Sequence, residues 1–176
     1  MNRRTALALM GATTLAACAP AGTAPRTGPD GQPLPKLYRI SSRDAKRVPF
    51  RALDAVNALR QGAGAPSLQL DPQLSAAAAT HSRDMSLQNR PWHFGSDGSS
   101  PIDRAARAGF QGRLLGKAIS ETYESELETV AAWMQEPASR RVLLDPDARL
   151  MGFAFYQERN GKIWWTLTTG TVPGTA

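Results

Sequence analysis

Only two histidines occur in the chain, His81 and His93, and imidazole is the side chain that ordinarily changes charge near neutral pH. His93 lies in Trp92-His93-Phe94-Gly95-Ser96-Asp97-Gly98, with Asp97 close behind it. A catalytic zinc needs three protein ligands and an open position. His93 would have to recruit Asp97, Glu121 or Glu136, and Lys117 would stand beside the incoming ion as a second cation. Two like charges about 4 Å apart repel by roughly 4 kcal/mol at an effective dielectric of about 20. No metal and no cofactor is assigned. A nucleophile would come from Ser96, Ser99, Ser100 or Ser139, with His93 as base and Asp97 as its partner. Gly95-Ser96-Asp97-Gly98-Ser99 does not fit the Gly-x-Ser-x-Gly elbow, and any tight loop ahead of a capped helix uses the same residues. No catalytic residue is assigned, with His93 the single candidate. His81 sits on an apolar helical stripe, where a hydrogen-bonded structural role is expected.

The elements that must position these residues follow from periodicity and caps. Residues 50–61 carry a helical stripe of Leu53, Val56 and Leu59/Arg60, closed by Gly62 and Gly64. Asp71-Pro72 caps a second helix with Leu74, Ala78, His81 and Met85 on one face. Ser100-Pro101-Ile102-Asp103 opens a third, ending at Gly109. Ser125 to Glu128 forms a capping box for a fourth, whose Leu127, Val130, Ala131 and Met134 face inward and which breaks at Pro137. Strands are expected at residues 113–121, 150–156 and 163–169, the last two joined by an Asn160-Gly161 hairpin turn. Trp164 and Trp165 point to opposite faces of that sheet. Both faces then need covering, so the fold class is α+β: a three-layer α-β-α sandwich around a small, mostly antiparallel sheet. Trp92, Trp133, Trp164, Trp165, Phe153 and Phe155 are expected in its core.

Four patterns recur in a fixed order: Trp92 to Gly98, Gly116-Lys117-Ala118-Ile119-Ser120-Glu121, Trp133-Met134-Gln135-Glu136-Pro137, and Asn160-Gly161-Lys162-Ile163-Trp164-Trp165. Together with Asn57-Ala58-Leu59-Arg60 and Leu68 to Leu74, they resemble the CAP (SCP) superfamily of cysteine-rich secretory, antigen 5 and pathogenesis-related proteins, in its bacterial form. The resemblance implies the same sandwich. It also implies an open cleft where members gather two histidines and two acids, some of them around a divalent metal. Carried over by position, His93 matches a family histidine. The glutamate of the family's Gly-Glu-Asn-Ile-Ala segment falls on Lys117. The histidine after its Pro-Gly falls on Ser139, with Arg140 and Arg141 alongside. Glu121 and Glu136 are nearby acids without a counterpart. The cleft candidates are therefore His93, Asp97, Lys117, Glu121, Glu136 and Ser139. Lys117 itself reads as a surface lysine on a strand edge, where charge discourages aggregation, or as a cation facing Glu121 on the same strand face. The other reading is that Lys117, His93 and Arg140 make the cleft favour anions.

Ahead of the domain, Met1-Asn2-Arg3-Arg4, an apolar run over residues 6–17 and Leu15-Ala16-Ala17-Cys18 have the layout of a bacterial lipoprotein signal. We expect a signal peptide at 1–17, a lipidated Cys18 and a Pro/Gly/Ala-rich tether at 18–47, and a domain at 48–172. A flexible tether of that length reaches roughly 30 Å. Cys18 is the only cysteine, so no disulfide forms within the chain. The formal charge of +6 falls to +4 without Arg3 and Arg4, a mildly basic surface with no nucleic-acid signature. Ala19 carries no inner-membrane retention signal, which favours the outer membrane, facing the periplasm. The expected function is a non-catalytic binding or interaction module of the cell envelope, held to a membrane through Cys18. Its ligand is a small molecule, glycan or protein that the sequence does not specify. A hydrolase centred on His93, metal-assisted or not, and a purely structural envelope protein are the alternatives.

Overall fold

Capping side chains and prolines start most of the helices. The computed structural model describes residues 37–174. The expected signal peptide, Cys18 and the expected tether up to residue 36 lie outside the described residues. A single turn, α1 (Ser42–Ala45), is capped by Ser41 and leads into α2 (Val48–Gly62). After a two-residue strand, β1 (Gln69–Leu70), Asp71 Oδ1 accepts the Leu74 amide at 2.7 Å and opens α3 (Pro72–Gln88). Asn89 ends that helix in the left-handed region at φ 49°. Ser100 and Asp103 form a capping box for α4 (Pro101–Arg107), and β2 (Leu114–Thr122) follows. Ser125 and Glu128 cap α5 (Glu126–Gln135) in the same way.

Pro137 does end α5, but it also occupies the first turn of a further helix, α6 (Pro137–Leu144), which the sequence reading lacked. The expected inward face of α5 needs correcting too. Leu127 and Ala131 are exposed, and the buried positions are Glu126, Thr129, Val130 and Trp133. Trp133 sets that phase: its indole nitrogen donates to Ser120 Oγ at 2.7 Å and pulls the helix round onto β2.

The hairpin of β3 (Leu150–Gln157) and β4 (Ile163–Gly170) turns at Gly161, φ +99°, a conformation glycine adopts without strain. The sheet runs β1-β3-β4-β2, with β1 parallel to β3 and the other pairs antiparallel. One face packs Phe153, Ile163, Trp165 and Leu167 against Val48, Ala52 and Val56 of α2, Val130 and Trp133 of α5 and Leu143 of α6. The other face meets α3. Ser82 Oγ donates to Thr166 Oγ1 at 2.9 Å, and α3 crosses β3 so closely that a Cβ on Gly152 would lie 2.2 Å from the Leu74 carbonyl carbon. Trp164 and Trp165 are both fully buried, on opposite faces. The result is the expected α-β-α sandwich.

The sequence counts residues 37–47 with the tether but has Leu37, Tyr38 and Ile40 beginning to dock on the domain, and the segment does belong in part to this body. Tyr38 and Ile40 pack against the core beneath α2, and the Tyr38 hydroxyl donates to Glu126 at 2.9 Å. Arg60 is wholly buried without a carboxylate. It instead donates to the carbonyls of Pro66, Leu143, Asp145 and Ala148, fastening α2 to the loop after α6. Among the described residues, no helix is long and apolar enough to cross a membrane.

Candidate functional site

Lys117 lies opposite Thr168 in the β2–β4 ladder, and strand alternation turns its side chain towards α3. It is not the solvent-facing edge lysine expected from sequence. Its ammonium donates to the His93 carbonyl at 2.6 Å and lies 3.3 Å from His81 Nε2. Glu121, on the same strand face, does not reach it and pairs with Lys162 at 2.7 Å. The loop carrying His93 is held from a second side by Arg104. That guanidinium donates to the His93 carbonyl at 2.9 Å and to the Ser99 carbonyl at 2.6 Å. A lysine amine and a guanidinium thus meet on one backbone oxygen.

Electrostatics at this point disfavour any further positive charge. Burial, then Lys117 and Arg104, push the His81 imidazole down to about 3. His81 therefore stays neutral at physiological pH. With Nε2 facing the Lys117 amine, the ring proton belongs on Nδ1, which is buried without a hydrogen-bond partner among the described residues. Burial and then Arg104 bring the Lys117 amine down to about 7. His93 exposes its ring and is shifted down by partial burial and by Lys117, with Glu136 opposing.

The remaining candidates have local partners. Asp97 accepts the Ser99 amide at 2.9 Å and pairs with Arg107 at 2.5 Å. Hydrogen bonding from Ser99 and Arg107 holds its carboxyl well below the usual range. Ser139 is buried at the start of α6 and donates to Glu136 at 2.6 Å. Arg140 and Arg141 face solvent. The structure thus brings together His93 and Lys117, with Glu136 acting on His93 through its field. It leaves Asp97 with Arg107, Glu121 with Lys162, and Ser139 on Glu136.

Two residues absent from the sequence candidates matter here. One is Arg104; the other is Asp84, which receives the amide and hydroxyl of Ser96 at 2.8 and 2.6 Å. The only sequence hint of Arg104 is its place on the inward face of a capped helix, beside Ala105. Beneath Lys117, a void of about 10 Å³ is bounded by His81, Arg104, Lys117 and Thr166, the lower limit for one water. A larger cavity of about 610 Å³ opens between α3 and α4, lined by Arg83, Asp84, Leu87, Asp97, Arg104 and Arg107. Among the described residues, no three His, Cys, Asp or Glu side chains converge. With an amine at the open nitrogen of His81, the donor set does not fit a divalent cation.

The sequence pattern of the cysteine-rich secretory protein family, CAP, matches residues 53–168. This chain belongs to the CAP family. YkwD of Bacillus subtilis is 30% identical over 114 residues, covering 65% of this chain and 44% of YkwD, so the chain spans less than half of that relative. The CAP domain is also similar in structure to an extracellular protein containing an SCP domain from Bacillus anthracis. There the TM-score is 0.67 at 20% identity, over 77% of this chain and 45% of that one. An outer surface protein of Borrelia burgdorferi gives a TM-score of 0.66 at 15% identity, over 77% of this chain and 98% of that one. Likeness at that identity shows the fold. Within it, the CAP domain here carries Lys117 and Ser139 at two positions where the family resemblance leads one to expect an acid and a histidine.

Proposed function

We propose that this chain is a lipid-anchored protein of the bacterial cell envelope, whose CAP domain binds a partner without turning it over. The observation that carries this reading is Lys117, whose amine is committed to the His93 carbonyl at 2.6 Å. General acid–base catalysis needs a group within reach of a reacting proton. The Lys117 amine is engaged in holding a loop, and His81 is enclosed. Among the described residues no carboxylate hydrogen-bonds the His93 ring: Asp97, Glu121 and Glu136 are drawn to Arg107, Lys162 and Ser139, and Glu136 reaches the imidazole only through its field. A hydrolase centred on His93 would need one of them back.

The cavity between α3 and α4 has the size of a small-ligand site and is lined by more guanidinium than carboxylate. That favours an anionic group on a small molecule, glycan or peptide. The lipoprotein box ending at Cys18 supports anchoring to a bilayer, and Ala19 favours the outer membrane. A location outside the cytoplasm is in keeping with an extracellular and an outer surface protein among the structural relatives.

Purified, tag-free protein should leave peptide, ester and glycan substrates intact. Hydrolysis that disappears in His93→Ala would overturn the binding-module reading. Mass analysis of the N-terminal peptide should find acyl chains on Cys18, and an unprocessed leader would remove the anchor.

A further inference from the structure

The chain enters the described domain beside the β3–β4 hairpin. Leu37 lies over Gly161, where an added Cβ would come within 3.2 Å of the leucine Cδ1. Arg39 donates to the Arg159 carbonyl at 2.9 Å, and the Ile40 amide donates to Gln157 at 3.0 Å. The same hairpin reaches the end of α3, where Lys162 donates to Asn89 at 3.0 Å. From Asn89 the chain passes to Arg90, whose guanidinium carbon lies 3.7 Å from the centre of the Trp92 ring, and Trp92 tilts against Phe94 at 5.9 Å. Trp92 and Phe94 are 40% and 46% exposed, and Tyr123, just beyond β2, is 47% exposed. Trp92 was expected in the core, yet Trp133, Trp164 and Trp165 are all buried and it alone of the tryptophans is not.

We propose that this end of the domain is a membrane-interface surface. It seats Trp92 and Phe94 among the headgroups of the bilayer while Arg39, Arg90 and Arg159 meet anionic phosphates. The proposal rests on the anchored reading of Cys18 given above. The described domain begins at Leu37, against this hairpin, so the tether expected from sequence joins it at this end. The indole of Trp92, with its polar N–H edge, favours the headgroup level, Phe94 adds apolar area beside it, and arginines near an anionic surface add electrostatic attraction. Among the described residues, none of these three arginines pairs with a carboxylate. Two of the nearby acids are engaged, Glu121 with Lys162 and Glu158 with Ser86 and the Trp164 indole, while Glu124 beside Tyr123 is exposed.

The test reads tryptophan emission from the full-length chain on vesicles of phosphatidylethanolamine and phosphatidylglycerol with brominated acyl chains. The surface predicts bromine quenching that is lost in Trp92→Phe, since the remaining indoles are buried. On unacylated Cys18→Ser chain, Arg90→Gln and Arg159→Gln should each weaken partitioning about fivefold. Unquenched Trp92 on a vesicle-bound chain would overturn the proposal, as would equal quenching in Trp92→Phe. A Trp92 spectral change with soluble glycan fragments and none with vesicles would assign the patch to sugar and also overturn it. Missing acyl chains on Cys18 would end the anchored reading, while the quenching would still report on the surface itself.

Discussion

Replacing Lys117 with methionine should change how stability depends on pH, not merely its level. Burial takes the folded-state amine from 10.5 to about 7, whereas in the unfolded chain it keeps its ordinary value. Between those limits the unfolded chain binds a proton that the folded one does not, so unfolding becomes harder as pH rises. The gap amounts to at most ~5 kcal/mol, and solvent screening at a half-buried amine reduces this to about 2 kcal/mol. Below about pH 7 both states are protonated and the penalty is fully present. Urea unfolding of the parent chain and of Lys117→Met, compared from about pH 6.5 to about pH 10, isolates the effect because other titrating groups cancel. The difference should shift by about 2 kcal/mol in favour of the parent as pH rises. A flat difference would refute the claim that the amine is buried against His81 and the His93 carbonyl.

The same logic applies to His81, whose proton is disfavoured down to about 3. Stability should fall as pH drops from about 6.5 towards about 3, and its NMR ring signals should show no imidazolium shift between about pH 5 and about pH 8, only the smaller change as the adjoining Lys117 amine loses its proton near 7, whereas those of the exposed His93 should titrate below the ordinary histidine range. Arg60→Leu leaves two buried and two partly buried carbonyls without their donor and should cost about 3–5 kcal/mol in denaturant unfolding, with the solvent-facing Arg140→Leu nearly neutral. Gly152→Ala drives a methyl group into the α3 backbone and should cost about 3 kcal/mol or more, measured the same way.

Local signals in the sequence carried much of this fold. Asp71, Ser100 and Ser125 announce helix starts because a side-chain oxygen satisfies a free amide whatever lies further away. The Asn160-Gly161 turn is local in the same sense. Pro137 was ambiguous, since proline both stops one helix and suits the first turn of the next, and α6 was lost to that ambiguity. The face of α5 was misread because Trp133 and the Arg51 to Glu126 pair, at 2.5 Å, outweigh the leucine stripe. At the site, alternation put Lys117 on one of two strand faces without saying which one a helix covers. Its direction depends on α3 and on Arg104, thirteen residues away in sequence and on a different element. Trp92 was drawn to the core by its size alone, whereas the loop holding it is fixed by its backbone: the adjoining His93 carbonyl meets Lys117 and Arg104.

Zinc titration of tag-free, full-length protein, followed by calorimetry, bears most directly on the idea that a cation now occupies the place of an acid in this cleft. The parent chain should show no stoichiometric site at micromolar zinc, and Lys117→Glu combined with Ser139→His should gain one. One tightly held zinc per parent chain, abolished by His93→Ala, would contradict it.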